Sequence, residues 1–336
     1  MTELDRTRVR FPEVPAAAGH YESMFLTLSD PDGGRAVWIR YTVHRAPGGT
    51  AVGSLWCTAF DRAWPAPRAA KVTLPAAELG AGPGEYLHIG SAVIAPGRVT
   101  GAAVTGQCAA RWELAFTAAE PPFDHLPRSW MYGARLPRTK TRSPYPAARF
   151  TGTVTVDGAV FEVADWPGTI GHNWGSEHAQ RWIWLRGSVF TGERDSWLEV
   201  VLGRLRLGPT TTPWLGNGVL RVGGERIRLA GLGRTLATRV AADRFQAALR
   251  LPGAHRSGVE VTAVVSAPPE RTVAWIYRDP AGSSHYTTHC AIADLEVRVR
   301  RPGRPDLRLH SANGASYEYG GPDLPAGVAL QPFPDP

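Results

Sequence analysis

Residues 36–44 read Ala-Val-Trp-Ile-Arg-Tyr-Thr-Val-His, and this alternation decides the fold. Val37, Ile39, Tyr41 and Val43 fall on one side, and Trp38, Arg40, Thr42 and His44 on the other. A period of two is the signature of a β-strand, here with one apolar face and one mixed face. The pattern recurs outward along the chain. Arg111–Phe116 sets Trp112, Leu114 and Phe116 together; Thr153–Val163 reads as a hairpin about Asp157-Gly158, a pair suited to a type I′ turn. Arg181–Phe190 alternates Trp182, Trp184, Arg186 and Ser188 against Ile183, Leu185, Gly187 and Val189, a further hairpin turns at Gly223-Gly224, and Val259–Val265, Thr272–Tyr277 and Asp294–Arg300 continue the series. Helical signals are few: one turn at Pro75–Leu79, and Arg234–Leu249, whose β-branched residues suit strands about as well. Many short strands between turn signals predict an all-β sandwich or barrel. The mixed faces suit a barrel whose interior holds a ligand.

The chain has 336 residues, too many for one ordinary small barrel and comfortable for two domains. Proline-rich stretches at 119–127 and 142–146 interrupt the alternation, which restarts at Phe150. The predicted division is therefore 1–148 and 149–336. The formal charge of +7 is carried mainly by arginine, with Lys71 and Lys140 the only lysines. The basic residues are scattered and no nucleic-acid motif accompanies them, so no such partner is expected. Cys57, Cys108 and Cys290 are too widely spaced for a disulfide framework or a Cys-x-x-Cys site. The polar opening Met1–Arg8 lacks a leader's apolar core, and no run is long and apolar enough for a transmembrane segment. A cytoplasmic protein is expected, with at most transient contact with a membrane surface. Nucleophile-elbow, dinucleotide and P-loop signatures are absent.

The densest chemistry lies in Asp165-Trp-Pro-Gly-Thr-Ile-Gly-His-Asn-Trp-Gly-Ser-Glu-His-Ala-Gln-Arg-Trp-Ile-Trp184. Aromatic faces attract cations, and a carboxyl group in an apolar pocket keeps its proton and serves as an acid. Together these suit protonation of an alkene, with water capture giving hydration and an internal nucleophile giving cyclisation. Glu177 and Asp165 are the candidate acids here, His172 or His178 the relay, and Trp166, Trp174, Trp182 and Trp184 the walls. The plainer reading makes the tryptophans core residues and pairs Glu177 with Arg181. A second cluster, His20-Tyr-Glu-Ser, offers Glu22, with Arg40 on the next strand as its partner and Trp38 beside it. A third, Ser283-Ser-His-Tyr-Thr-Thr-His-Cys, offers His285 and Tyr286. His172 with His178, and His285 with His289, lack a third ligand at an accepted spacing, so no metal is expected.

With these residues in view, the chain resembles the tocopherol cyclase-like and hydroxyneurosporene synthase (carotenoid 1,2-hydratase) group of lipocalin-like proteins. The matching pieces are His20-Tyr-Glu-Ser, Ala36-Val-Trp-Ile-Arg-Tyr-Thr, Trp130-Met-Tyr with Leu136-Pro-Arg-Thr-Lys and Ser143-Pro-Tyr-Pro, Gly171-His-Asn-Trp-Gly-Ser-Glu-His-Ala with Trp182-Ile-Trp, and His285-Tyr-Thr-Thr-His-Cys. The resemblance implies two consecutive lipocalin-like antiparallel β-barrel domains, a hydrophobic, isoprenoid-like substrate and no organic cofactor. It also implies acid-initiated hydration or cyclisation, or, as the alternative, a non-catalytic carrier for a hydrophobic small molecule. Gly171 precedes His172 where some members place an aspartate, which shifts the expected acid to Glu177, with Glu22 as the alternative.

Overall fold

A computed structural model describes residues 7–118, 120–254 and 258–331; the first six residues of the polar opening lie outside them. The fold is all-β, a nearly closed lipocalin-like barrel followed by a half-barrel. The first sheet has twelve strands in the order Arg68–Pro75, Val52–Asp61, Arg35–Arg45, His20–Ser29, Ala159–Gly175, Thr139–Val156, Ala109–Ala118, Arg98–Val104, Ala92–Ala95, Leu87–Ile89 and Leu79–Gly80, with Phe123–Asp124 added on Thr139–Val156. It closes where Arg68–Pro75 packs against Arg98–Val104 and Ala109–Ala118. The second sheet has ten strands in the order Glu225–Ala230, Leu215–Val222, Trp197–Arg204, Arg181–Gly187, Leu307–Gly321, Ser284–Arg300, Glu260–Ser266, Gln246–Pro252 and Arg239–Ala242, with Val273–Arg278 added on Ser284–Arg300.

The sheets therefore divide between Gly175 and Arg181. The division expected at 148/149 falls inside the single strand Thr139–Val156. Its prolines, Pro144 and Pro146, sit where the register with Ala159–Gly175 slips, between Arg142 and Tyr145 and between Tyr145 and Ala148. Bulges of this kind tolerate residues that cannot donate to a ladder, so a stretch that reads as a linker is a bent strand. The Asp157-Gly158 and Gly223-Gly224 turns form as expected, all four residues at positive φ. The Arg234–Leu249 region is a short 3-10 segment, Leu232–Ala237, and then strands.

Both faces of Arg35–Arg45 are buried over most of its length. Val37, Ile39, Tyr41 and Val43 fill the barrel with Met24, Leu26, Leu28, Leu55, Trp112, Phe150 and Ile170. Trp38, on the mixed face, joins Trp56 and Phe60 in the hydrophobic cluster of the second sheet, with Trp275, Tyr277 and Leu185. The mixed face thus points out of the barrel into a layer between the two sheets, a correction to the expectation that it lines a barrel cavity. The physical reason is the barrel's size: aliphatic and aromatic side chains already fill it.

Candidate functional site

The run Trp166–Arg186 is the crossing from one sheet to the other, and its alternation sorts its side chains. Trp166 and Ile170 pack in the barrel core. His172 and Trp174 share that face, whereas Gly171 opposes Phe25 across the ladder on the face toward the second sheet. Beyond the link at 176–180, Ile183 and Leu185 enter the core of the half-barrel, leaving Trp182, Trp184 and Arg186 on the face toward the barrel. Trp184 meets Phe25 edge-on at 5.3 Å.

At one end of the barrel, Glu22 is fully enclosed. Its oxygens accept from the backbone N–H of Arg10 at 2.8 Å and of Phe11 at 2.9 Å, and lie 2.7 Å from His172 Nε2 and 3.1 Å from His20 Nε2. Burial alone would raise its pKa, but the bonds to His172 and His20 outweigh burial and bring it down to about 2. Burial keeps His172 below the ordinary histidine value. Trp174 packs on His172 at 4.6 Å and stacks on Tyr132 at 5.6 Å. Glu22 is thus a held carboxylate. Arg40, its expected partner, lies on the opposite face and donates from Nε to Ser23 Oγ at 2.7 Å.

Glu177 sits at the rim in an ion pair with Arg138, not with Arg181, which instead reaches Asp323. Asp165, at φ 56, is exposed beside Arg149 at 3.6 Å. Tyr286 alternates away from His285, and its carbonyl accepts from Arg244 Nη1 at 3.2 Å. Glu177 and Asp165 are thus both paired with arginines near the surface, outside the layer between the sheets.

The layer between the sheets holds the remaining candidates together with residues that the sequence did not single out. His178 stacks on Tyr21 at 3.9 Å and on Trp182 at 5.9 Å, and Trp182 stacks on Tyr277 at 6.0 Å. Trp182 lies flat over Gly320; a Cβ there would stand 2.1 Å from the indole, so only glycine leaves room for it. Glu318, two residues earlier, accepts from Trp182 Nε1 at 2.7 Å and from Tyr277 Oη at 3.4 Å. Among the described residues no cation lies within ion-pair distance of it. Arg40 is aimed at the Tyr277 ring, 3.9 Å from its centre. Burial raises the Glu318 pKa, and the bond from Trp182 and the charge of Arg40 only partly oppose this. Phe25 occupies the place that a side chain at 171 would take, 2.2 Å from a Cβ there, so the layer has no room for an acid beside His172.

Asp279 links two histidines: its Oδ1 lies 2.7 Å from both the backbone nitrogen and Nδ1 of His178, and its Oδ2 lies 3.0 Å from His285 Nε2. Burial lowers the His178 pKa, so its ring is neutral near pH 7. With Asp279 accepting at Nδ1, His178 presents Nε2 as a base. His178, Asp279 and His285 offer ligand atoms within 4.8 Å of one another, a donor set able to hold a divalent cation. However, His178 Nε2 and His285 Nδ1 lack hydrogen-bond partners, whereas metal-bound imidazoles ordinarily donate outward. The arrangement fits a hydrogen-bonded triad better. A third carboxylate in the layer, Glu199, accepts from Ser143 Oγ at 2.8 Å and Trp184 Nε1 at 3.3 Å, and is paired with the buried Arg186 at 3.7 Å.

No family model matches the chain. A protein of Mycobacterium tuberculosis (strain H37Rv), described as uncharacterised, is 28% identical over 303 residues, spanning 88% of this chain and 86% of its own length. Among solved structures, a protein from Nitrosomonas europaea described as AttH covers 94% of this chain and 97% of its own at TM-score 0.54 and 14% identity. Kievitone hydratase from Nectria haematococca covers 95% and 92% at TM-score 0.52 and 9% identity, and CghA 91% and 88% at TM-score 0.55 and 11% identity. At these identities the likeness is one of fold, shared with lipocalin-like proteins along nearly the whole chain.

Proposed function

We propose that the chain is an enzyme of the hydratase or cyclase kind, acting on an alkene of a hydrophobic, isoprenoid-like substrate held between the two sheets. The observation that carries this reading is Glu318: a half-buried carboxyl group bonded by Trp182 and Tyr277 and placed across the ladder from Trp184, raised in pKa by burial and with no ion-pair partner among the described residues. Burial without a neutralising cation keeps such a group in its protonated form further up the pH scale, which is the form a general acid needs. The resemblance to hydroxyneurosporene synthase and the fold shared with a hydratase support the same chemistry. With Phe25 filling the space at 171, the acid's role passes to Glu318.

The steps balance as follows. The carboxyl proton of Glu318 adds to one alkene carbon, leaving a cation at the other and a carboxylate at Glu318. The faces of Trp182 and Tyr277 stabilise that cation. Water, or a hydroxyl of the substrate, then forms a bond to the cationic carbon and gives its proton to His178 Nε2, with Asp279 stabilising the imidazolium. Proton transfer from His178 through solvent to Glu318 resets the site.

The test is turnover of prenylated phenols and linear polyprenes in deuterated water, read by mass spectrometry. Glu318→Gln should lower turnover by about 10²–10⁴-fold, the usual contribution of a positioned acid, with binding retained. An undiminished rate in that variant overturns the assignment, and ligands recovered unlabelled and unchanged from the native protein would identify a carrier.

A further inference from the structure

Burial of a polar atom without a partner is unfavourable, and native proteins rarely accept it without a reason such as a bound molecule. Three residues that carry such atoms neighbour Trp38. Thr58, its neighbour across the ladder, has an unpartnered Oγ1; Trp275, 6.5 Å away ring to ring, has an unpartnered Nε1; and His289, 5.1 Å away and edge-on, has neither ring nitrogen bonded. All three residues are completely buried. They come from three strands of the two sheets, and the His289 ring is otherwise boxed by Phe60 and Trp184. His289 is also the ladder partner of Glu318.

We infer that Thr58, Trp275 and His289 form an anchor for one carbonyl or hydroxyl oxygen of the ligand, so that the substrate of the proposed reaction is an oxygenated hydrophobic alkene rather than a pure hydrocarbon. This rests on the reading that substrate binds between the sheets. The donor inventory fits an oxygen: Trp275 Nε1–H donates only, the Thr58 hydroxyl donates or accepts, and a neutral imidazole brings one donor and one acceptor. Burial holds His289 at a pKa of about 3, so it is neutral across the physiological range. An anionic head group is disfavoured, because the cluster brings no charge of its own to oppose one. Anchoring an oxygen here sets the adjoining hydrocarbon against Glu318 on the next strand.

The experiment compares farnesol with β-farnesene, an alcohol and a hydrocarbon of equal carbon count, by tryptophan fluorescence titration of the full chain and of Thr58→Val and His289→Phe. The native protein should favour farnesol by about tenfold, the scale of one well-made hydrogen-bonded group. Each variant should bring the ratio toward one while leaving farnesene affinity in place. Without ligand, both variants should melt at the native temperature or above it, since they remove unsatisfied groups; a purely structural role would lower the melting temperature. Equal native affinities, no saturable farnesol binding, or a preference that survives both variants overturns the anchor. Failure of the acid assignment shows separately, as full turnover by Glu318→Gln with the farnesol preference intact.

Discussion

Glu22→Gln separates a held carboxylate from a catalytic acid. In the folded chain Glu22 titrates near 2 against an ordinary 4.5, because hydrogen bonds from His172 and His20 outweigh the penalty of burial. At about 1.4 kcal/mol per pH unit, that difference corresponds to about 3 kcal/mol of stability. The sign follows from a depressed carboxylate: the contribution is complete above pH 4.5 and is lost as the pH falls toward 2, where the folded state must also take up the proton. Urea unfolding curves for native and Glu22→Gln protein at several pH values from 7 to 3 measure it. The native protein should be more stable by about 3 kcal/mol at pH 7, with the gap narrowing steadily below pH 4.5. A gap that stays constant with pH would refute the argument, since it would mean that Glu22 titrates alike in the folded and unfolded chain.

Three further outcomes follow from the layer between the sheets. Gly320→Ala drives a methyl group into the Trp182 indole and should destabilise the fold by about 1–3 kcal/mol in urea titration, with loss of the Glu318 hydrogen bond. Arg40→Leu removes a charge that favours ionised Glu318, so the alkaline limb of the activity profile should move to higher pH, the acid form persisting further. Glu177→Gln breaks a rim ion pair with Arg138 and should change stability by less than about 1 kcal/mol while leaving turnover unaltered.

Local pattern carried much of the fold to the reader of the sequence. Alternation at 36–44 and 181–190, and the glycine-containing turns at 157 and 223, needed only neighbouring residues to be read. Which face turns inward did not follow, because both faces of Arg35–Arg45 are buried and alternation cannot rank two buried faces. The expected boundary falls inside a strand for a related reason: Pro144 and Pro146 mark bulges, and a bulge and a linker share the same composition. At the site, Trp182, Trp184, Trp38, Arg40, His178 and His285 were legible as types suited to the chemistry and do meet in the layer. Glu318 and Asp279 were missed because their partners are far away in the chain; Glu318 lies 136 residues from the indole that binds it. The alternation of Tyr317-Glu318-Tyr319 ahead of Gly320 is the one local signal, an acid opposite two aromatics on a strand.

Trp38, Trp56 and Phe60 on the barrel's outside are covered only because a second sheet lies over them. Neither half is therefore a soluble part in its own right: residues 1–175 made alone would present those rings to water as an adhesive patch, and the half-barrel would do the same with Trp182, Trp184 and Trp275. Selection acts on the pair as one unit, and a substitution on one face is judged by a residue more than a hundred positions away on the other. Transplanting a half from a relative should fail unless both facing surfaces are exchanged together.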